Sequence, residues 1–223
     1  MKAAFSLLLL LSLPLRAEEL QLSVIASNPT HEEIWRVVQA AARRAGIPVA
    51  ARSVPAERAL ALANSGATDG DVGRIAGLER QYPHLVRVPE PVYRYAAYAF
   101  AYNKLEVTAG WESLQGHGIC IRRGIKLFEL RTESMQRQML DDERSILRML
   151  RNGGCDLALL EPNSQVVKAA MAARPRLYKL LPPLEVTPLY LYLHRSHAAL
   201  APRFAEALKQ MRQDGTLQKI LDE

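Results

Sequence analysis

The polar side chains best suited to fixing a small molecule fall in four short stretches: Asn28, the Gly73-Arg74 pair, the Arg122-Arg123-Gly124-Ile125 run, and Glu161. A guanidinium presents paired N–H groups at the spacing of two oxygens, so an arginine grips carboxylate or phosphate through a bidentate fork. Arg74 is the first candidate for that role and Arg80 its rival; Arg74 reads equally as a surface arginine at a helix start. Arg122-Arg123-Gly124 precedes an expected helix. Free N–H groups at a helix start attract anions, and glycine lets a ligand approach the backbone. Arg123 pointing into solvent is the alternative. Glu161 suits an ammonium or another cation, or else serves as a helix-start acid ahead of Pro162. Trp35, Tyr95 and Tyr98 are candidate aromatic contacts, though helix stripes and extended strands also use such residues for packing.

Covalent chemistry has less support. The five histidines, His31, His84, His117, His194 and His197, are scattered and share no motif with a serine or cysteine nucleophile. There is no His-Glu-x-x-His pair and no phosphate-binding glycine loop ending in lysine. A triad assembled across the fold stays open. No metal or other cofactor is implied. Cys120 and Cys155 have no histidine or further cysteine at ligand spacing, so they read as a candidate disulfide within one lobe or as two buried thiols.

The elements that must position these groups begin after a leader. Lys2, the apolar run Ala3 to Leu13, Pro14 and the small residue Ala17 have the layout of a secretory signal peptide over residues 1–17, with Leu15 an imperfect fit to the cleavage box. The run is shorter than the ~20 residues that span a bilayer, so no membrane insertion is expected once it is removed. Export permits a disulfide. The net charge of +6 belongs to a chain of 223 residues whose basic residues are dispersed. Nucleic acid is therefore not an expected partner, because its footprint is a clustered basic patch.

Leu20 to Val24 alternates as a strand. Thr30 with Glu33 reads as a capping box, opening a helix whose stripe is Ile34, Val37, Val38, Ala41, Ala42 and Ala45, and Gly46 closes it. Val49 to Val54, a helix after Pro55 that ends at Gly66, and a strand near Asp71-Val72 continue a βαβ pattern, which implies a parallel sheet. Leu85 to Val88 and Val92 to Tyr102 read as two extended runs. A second such group uses Gly118 to Arg122, a helix after Asp141-Asp142-Glu143, Cys155 to Leu160, and a helix opened by Pro162. Tyr178 to Leu181 and Leu189 to Leu193 read as strands, followed by a helix from Pro202 to Asp214 and a short terminal helix after Gly215.

The order of features resembles the family 3 periplasmic solute-binding proteins of ABC transporters. The residues that carry the likeness are Ala67-Thr68-Asp69-Gly70-Asp71, Tyr82-Pro83, Val88-Pro89-Glu90-Pro91, Trp111-Glu112-Ser113-Leu114-Gln115-Gly116, Asn152-Gly153-Gly154-Cys155-Asp156 and Gln213-Asp214-Gly215-Thr216. The resemblance implies an α/β protein of two lobes, each a central, mostly parallel sheet flanked by helices and joined by two hinge strands. Residues 18–104 plus 186–223 form one lobe and residues 105–185 the other. It further implies a periplasmic, monomeric, non-enzymatic protein that closes on a small polar molecule, anionic or amino-acid-like, and presents it to a membrane permease. A stand-alone sensory domain and a periplasmic enzyme on the same fold are the alternatives. In amino-acid-binding members an acidic residue at the place of Glu161 holds the ligand ammonium. The chain departs from those members in lacking a serine/threonine-rich turn before the arginine, and in carrying Ile125 where a small hydroxyl residue follows the glycine.

Overall fold

Alternation puts Leu20, Leu22 and Val24 into the core, and Ile25 joins them, so β1 (Leu20–Ile25) forms an interior strand. This computed structural model describes residues 19–103 and 105–222; the expected signal peptide lies outside the described residues. The chain next forms α1 (Pro29–Ala45), which buries the 3.6-period stripe Ile34, Val37, Val38, Ala41 and Ala42. Its N-cap is Asn28, not Thr30: the Asn28 side chain accepts from the His31 N–H at 2.9 Å. Pro29 fills the first helical position, where a missing N–H costs nothing. The expected Thr30–Glu33 capping box is therefore not formed, and both side chains are free for other partners.

β2 (Val49–Val54), α2 (Ala56–Ser65) and β3 (Gly70–Arg74) complete the first βαβ group, with β1 parallel to both neighbours. β4 (Leu85–Ala97) is one continuous strand where two runs were expected. It lies at a sheet edge, and an edge strand tolerates prolines such as Pro89 and Pro91 that donate nothing to a ladder. The chain then enters a second sheet with β5 (Ala99–Ala101) and β6 (Ile119–Arg122), followed by α3 (Lys126–Arg131) and β7 (Arg137–Leu140). β7 has no counterpart in the sequence reading. α4 (Glu143–Arg151) is capped by Asp142, as the acidic run suggests. β8 (Leu157–Leu159) leads to α5 (Gln165–Ala172), which opens at Gln165 rather than at Pro162. β9 (Tyr178–Lys179), β10 (Glu185–His194), α6 (Ala201–Gln213) and α7 (Thr216–Asp222) complete the chain.

The five-stranded sheets run β2-β1-β3-β10-β4 and β7-β6-β8-β5-β9. Each is mixed. β1, β2 and β3 are mutually parallel, as are β6, β7 and β8, while β10 and β5 join their neighbours antiparallel. The first crossing between sheets falls at Tyr98, ahead of the expected boundary after residue 104, because β5 already pairs in the second sheet. The return crossing runs beside it: the Leu180 N–H donates to Ala99 O at 2.9 Å and the Leu184 N–H to Ala97 O at 2.8 Å. Tyr95, Trp111 and Phe128 pack together near this junction, with ring centroids 6.2 and 6.4 Å apart. Cys120 in β6 and Cys155, in the loop that enters β8, form a disulfide.

Candidate functional site: a polar cleft between the lobes

Ligands of open parallel sheets sit beyond the carboxyl ends of the strands. Here those ends face each other. Asn28 follows β1, Arg74 ends β3, Arg122 ends β6 and Glu161 follows β8.

Glu161 stands at the centre, 5% exposed. Its Oε2 accepts from the Thr30 hydroxyl at 2.7 Å, and its Oε1 is approached by Asn28 Nδ2 and the Tyr95 hydroxyl, each at 3.4 Å. All three donors are neutral and come from the opposite lobe. Burial lifts its carboxyl to about 7; the nearby Glu143 carboxylate adds to the rise, and the Thr30 and Asn28 bonds and Arg122 oppose it. Glu143 is also raised by burial, while it accepts from the Ser164 hydroxyl and from the Glu161 N–H.

Arg74 lies deep at the same cleft. Its Nη2 donates to Asp71 Oδ2 at 2.8 Å and to Ala56 O at 3.0 Å, and its Nη1 crosses to Gly124 O at 3.2 Å. Its Nε is buried without a hydrogen-bond partner. Arg122 reaches the other way, donating to Ala26 O at 3.0 Å and Ser27 O at 3.2 Å. His31 lies below: burial, then Arg74 and Arg122, hold its pKa well below the usual imidazole value. Its Nδ1 accepts from the Ile25 N–H at 3.3 Å, so the neutral ring carries its proton on Nε2.

The lobes meet closely at Gly124. A Cβ there would stand 2.3 Å from the Glu57 nitrogen and 2.8 Å from the Ala56 carbonyl carbon, and the residue has φ +83°. Only glycine meets both demands. A second bridge lies further out, where Glu33 accepts from the Tyr93 hydroxyl at 2.8 Å and from Asn163 Nδ2 at 3.1 Å. Between the lobes lies a partly open cavity of about 40 Å³ with polar groups at Asn28, Thr30, His31, Arg74, Lys126 and Glu161 and an aliphatic wall that includes Ile125. That space suits a few water molecules, so a larger guest requires the lobes to part. Among the described residues no group of His, Cys, Asp or Glu is arranged to hold a metal ion.

Of the candidates read from sequence, Asn28, Arg74, Gly124, Ile125, Tyr95 and Glu161 come together here. Arg80 does not: it is exposed at the end of the turn Leu78–Arg80. Arg123 turns outward to Asp141 at 3.1 Å. Trp35 lines a separate groove with Glu32, Arg36 and Lys168. Tyr98 packs on the second lobe's core with Lys179 Nζ 4.6 Å over its ring. Thr30, His31 and Asp71 were not singled out as site residues, and Arg122 was named only within its run, with Arg123 as the candidate. Arg122 had a signal, since it is the last residue of the apolar run Ile119-Cys120-Ile121 and so sits at a strand end. Thr30 had none, because its partner Glu161 is 131 residues away, and the Asp71–Arg74 pair, though only three residues apart, depends on the local backbone of β3.

No known protein family's sequence profile matches the chain. A protein of Shewanella oneidensis, described only as uncharacterised, is 28% identical over 173 residues, which is 74% of this chain and 66% of that one. The chain thus spans about two thirds of that relative's length. Solved structures give a sharper answer. An ancestral arginine-binding protein bound to arginine superposes with a TM-score of 0.73 at 15% identity, covering 93% of this chain and 97% of that one. The fold is that of the periplasmic binding proteins. A histidine kinase sensor domain with similarity to such proteins superposes with a TM-score of 0.74 at 18% identity, over 92% of this chain and 95% of its own. The arginine-, lysine-, histidine-binding protein ArtJ of Geobacillus stearothermophilus gives 0.71 at 14% identity, over 91% and 93%. At these identities the likeness establishes the fold alone, and the site must speak through its own residues.

Proposed function

We propose that the chain is an exported receptor that traps a small polar solute between its lobes and signals capture through closure. The observation that carries this reading is the convergence of Asn28, Arg74 and Glu161, from three strand ends on two sheets, onto one cavity between the lobes, with Arg122 crossing the cleft beside it to Ala26 and Ser27. Buried polar groups must be matched, and part of that matching crosses the cleft: Thr30, Asn28 and Tyr95 to Glu161, Arg74 to Gly124 O, and Arg122 to Ala26 O and Ser27 O. Closure therefore has bonds to gain, and a guest that satisfies them better shifts the balance of forms. The disulfide supports an oxidising compartment, the periplasm. Family 3 membership and a monomeric state belong to the same reading.

The partner that senses closure is a transporter permease in the first reading. The histidine kinase sensor domain favours a second, in which closure is passed to a signalling protein. Native mass spectrometry of the protein purified from its own host tests the receptor reading by showing what travels with it. Small-angle scattering with a broad metabolite panel tests closure. A scattering profile that no compound changes sinks the proposal.

A further inference from the structure

The charges around the cavity do not balance. Arg74 is paired with Asp71 at 2.8 Å, both nearly or wholly buried. Lys126, which lines the cavity, is paired with Glu129 at 2.5 Å. Arg122 and Glu143 stand outside the cavity's lining, in a neighbouring pocket, and Arg122 donates to Ala26 O and Ser27 O. Glu161 is the carboxylate that lines the cavity itself, and its hydrogen-bonding donors are all neutral.

The bonding of Arg74 sharpens this. A guanidinium has two bidentate faces, and Nη2 belongs to both, once with Nε and once with Nη1. Here Nη2 spends both hydrogens, on Asp71 Oδ2 and Ala56 O. No fork remains for a guest's carboxylate. What remains is the single buried Nε–H, which has no partner. One neutral acceptor, such as an amide or hydroxyl oxygen, satisfies it. A carboxylate there would also lie beside the buried Asp71 charge. At the other end Oε1 of Glu161 has only 3.4 Å contacts, at the outer edge of hydrogen bonding, and has room for a stronger donor. Much of the remaining lining is aliphatic, with Ile25, Ile75, Ile125, Leu127 and Leu189.

We infer that Asp71 occupies the place on Arg74 that a guest's carboxylate would take, and that the site selects a small aliphatic monocation over a zwitterion or an acid. Such a guest has an ammonium for Glu161 and, at most, a neutral oxygen for Arg74. The inference rests on the solute-receptor reading and names the chemical class of its solute.

Calorimetric titration of the mature chain with leucine, leucinamide, isopentylamine and isocaproate separates the charge patterns on one skeleton. Leucinamide and isopentylamine are expected to bind at least about tenfold more tightly than leucine, and isocaproate not at all. Asp71→Asn frees the guanidinium and is expected to move leucine ahead of leucinamide. Leucine binding the wild type as well as leucinamide overturns the inference while leaving the receptor reading intact, and so does binding of isocaproate. Silence toward all four overturns it too, and the scattering panel then decides separately whether the receptor reading stands. Should Asp71→Asn lose its native circular dichroism, Glu161→Gln serves instead: it is expected to abolish amine binding, and unchanged amine affinity in that variant overturns the assignment.

Discussion

Thr30, in the first turn of α1, donates its hydroxyl to Glu161 Oε2 at 2.7 Å from the opposite lobe. A helix-start residue that was expected to cap its own helix instead holds the two halves of the molecule together. Asn28 makes this possible by taking over the cap and also sending its Nδ2 toward the same carboxylate.

Removing that hydroxyl should loosen closure. A hydrogen bond to a charged group contributes about 1.5–3 kcal/mol, so Thr30→Ala should shift the molecule toward the open form, and Thr30→Ser should not. Small-angle scattering reads this as a larger radius of gyration in the alanine variant alone.

Glu161→Gln should raise stability at neutral pH while its effect vanishes in acid. The folded carboxyl titrates at about 7 instead of 4.5, so the native state binds the extra proton between these values. Stability contributed by this group is present below the unfolded pKa and lost as pH rises to the folded one, amounting to about 3 kcal/mol. Melting followed by circular dichroism should show variant and wild type converging near pH 4.5 and the variant ahead above pH 7. Parallel curves across that range would show that Glu161 is not the group responsible.

Gly124→Ala should hold the lobes apart. The added methyl meets backbone atoms of Glu57 and Ala56 at 2.3 and 2.8 Å, and neither can yield as a flexible side chain would. The variant should scatter as the open form even with a guest present, with each lobe's circular dichroism intact.

Breaking Cys120–Cys155 should weaken the second lobe. The bridge closes a loop of sequence separation 35, for which about 2–4 kcal/mol of stabilisation is typical. Denaturant unfolding of the Cys120→Ala/Cys155→Ala variant should lose that amount, and reductant should do the same to the wild type but not to the variant.

The sequence made the framework legible because most of it is local. The stripe of α1, the glycine caps at Gly46 and Gly66 and the acidic cap at Asp142 each follow from neighbours a few residues away. β7 was missed because Arg137-Gln138-Met139-Leu140 has no clear alternation and is only partly buried at a sheet edge. The two prolines of β4 read as a break because sequence alone does not reveal which strand is at an edge. In the site, strand ends were legible and so were Asn28, Arg74 and Glu161. The pairing of Arg74 with Asp71 could be drawn only once the backbone of β3 was known: its register shift opposite β10 falls between the partners of Arg74 and Asp71. Arg123 takes the solvent-facing alternative and Arg122 crosses the cleft, since consecutive residues at a strand end point opposite ways.

The paired crossings at Tyr98 and Leu184 have a mechanical consequence. Because Ala97 stays bonded to the returning strand on one side and Ala99 on the other, the link behaves as a short ribbon rather than two loose threads. A ribbon bends across its flat face far more easily than it shears or twists within its plane. For the proposed receptor, such a link is expected to confine the halves to something near a single swing, returning Glu161 to the same spot opposite Thr30.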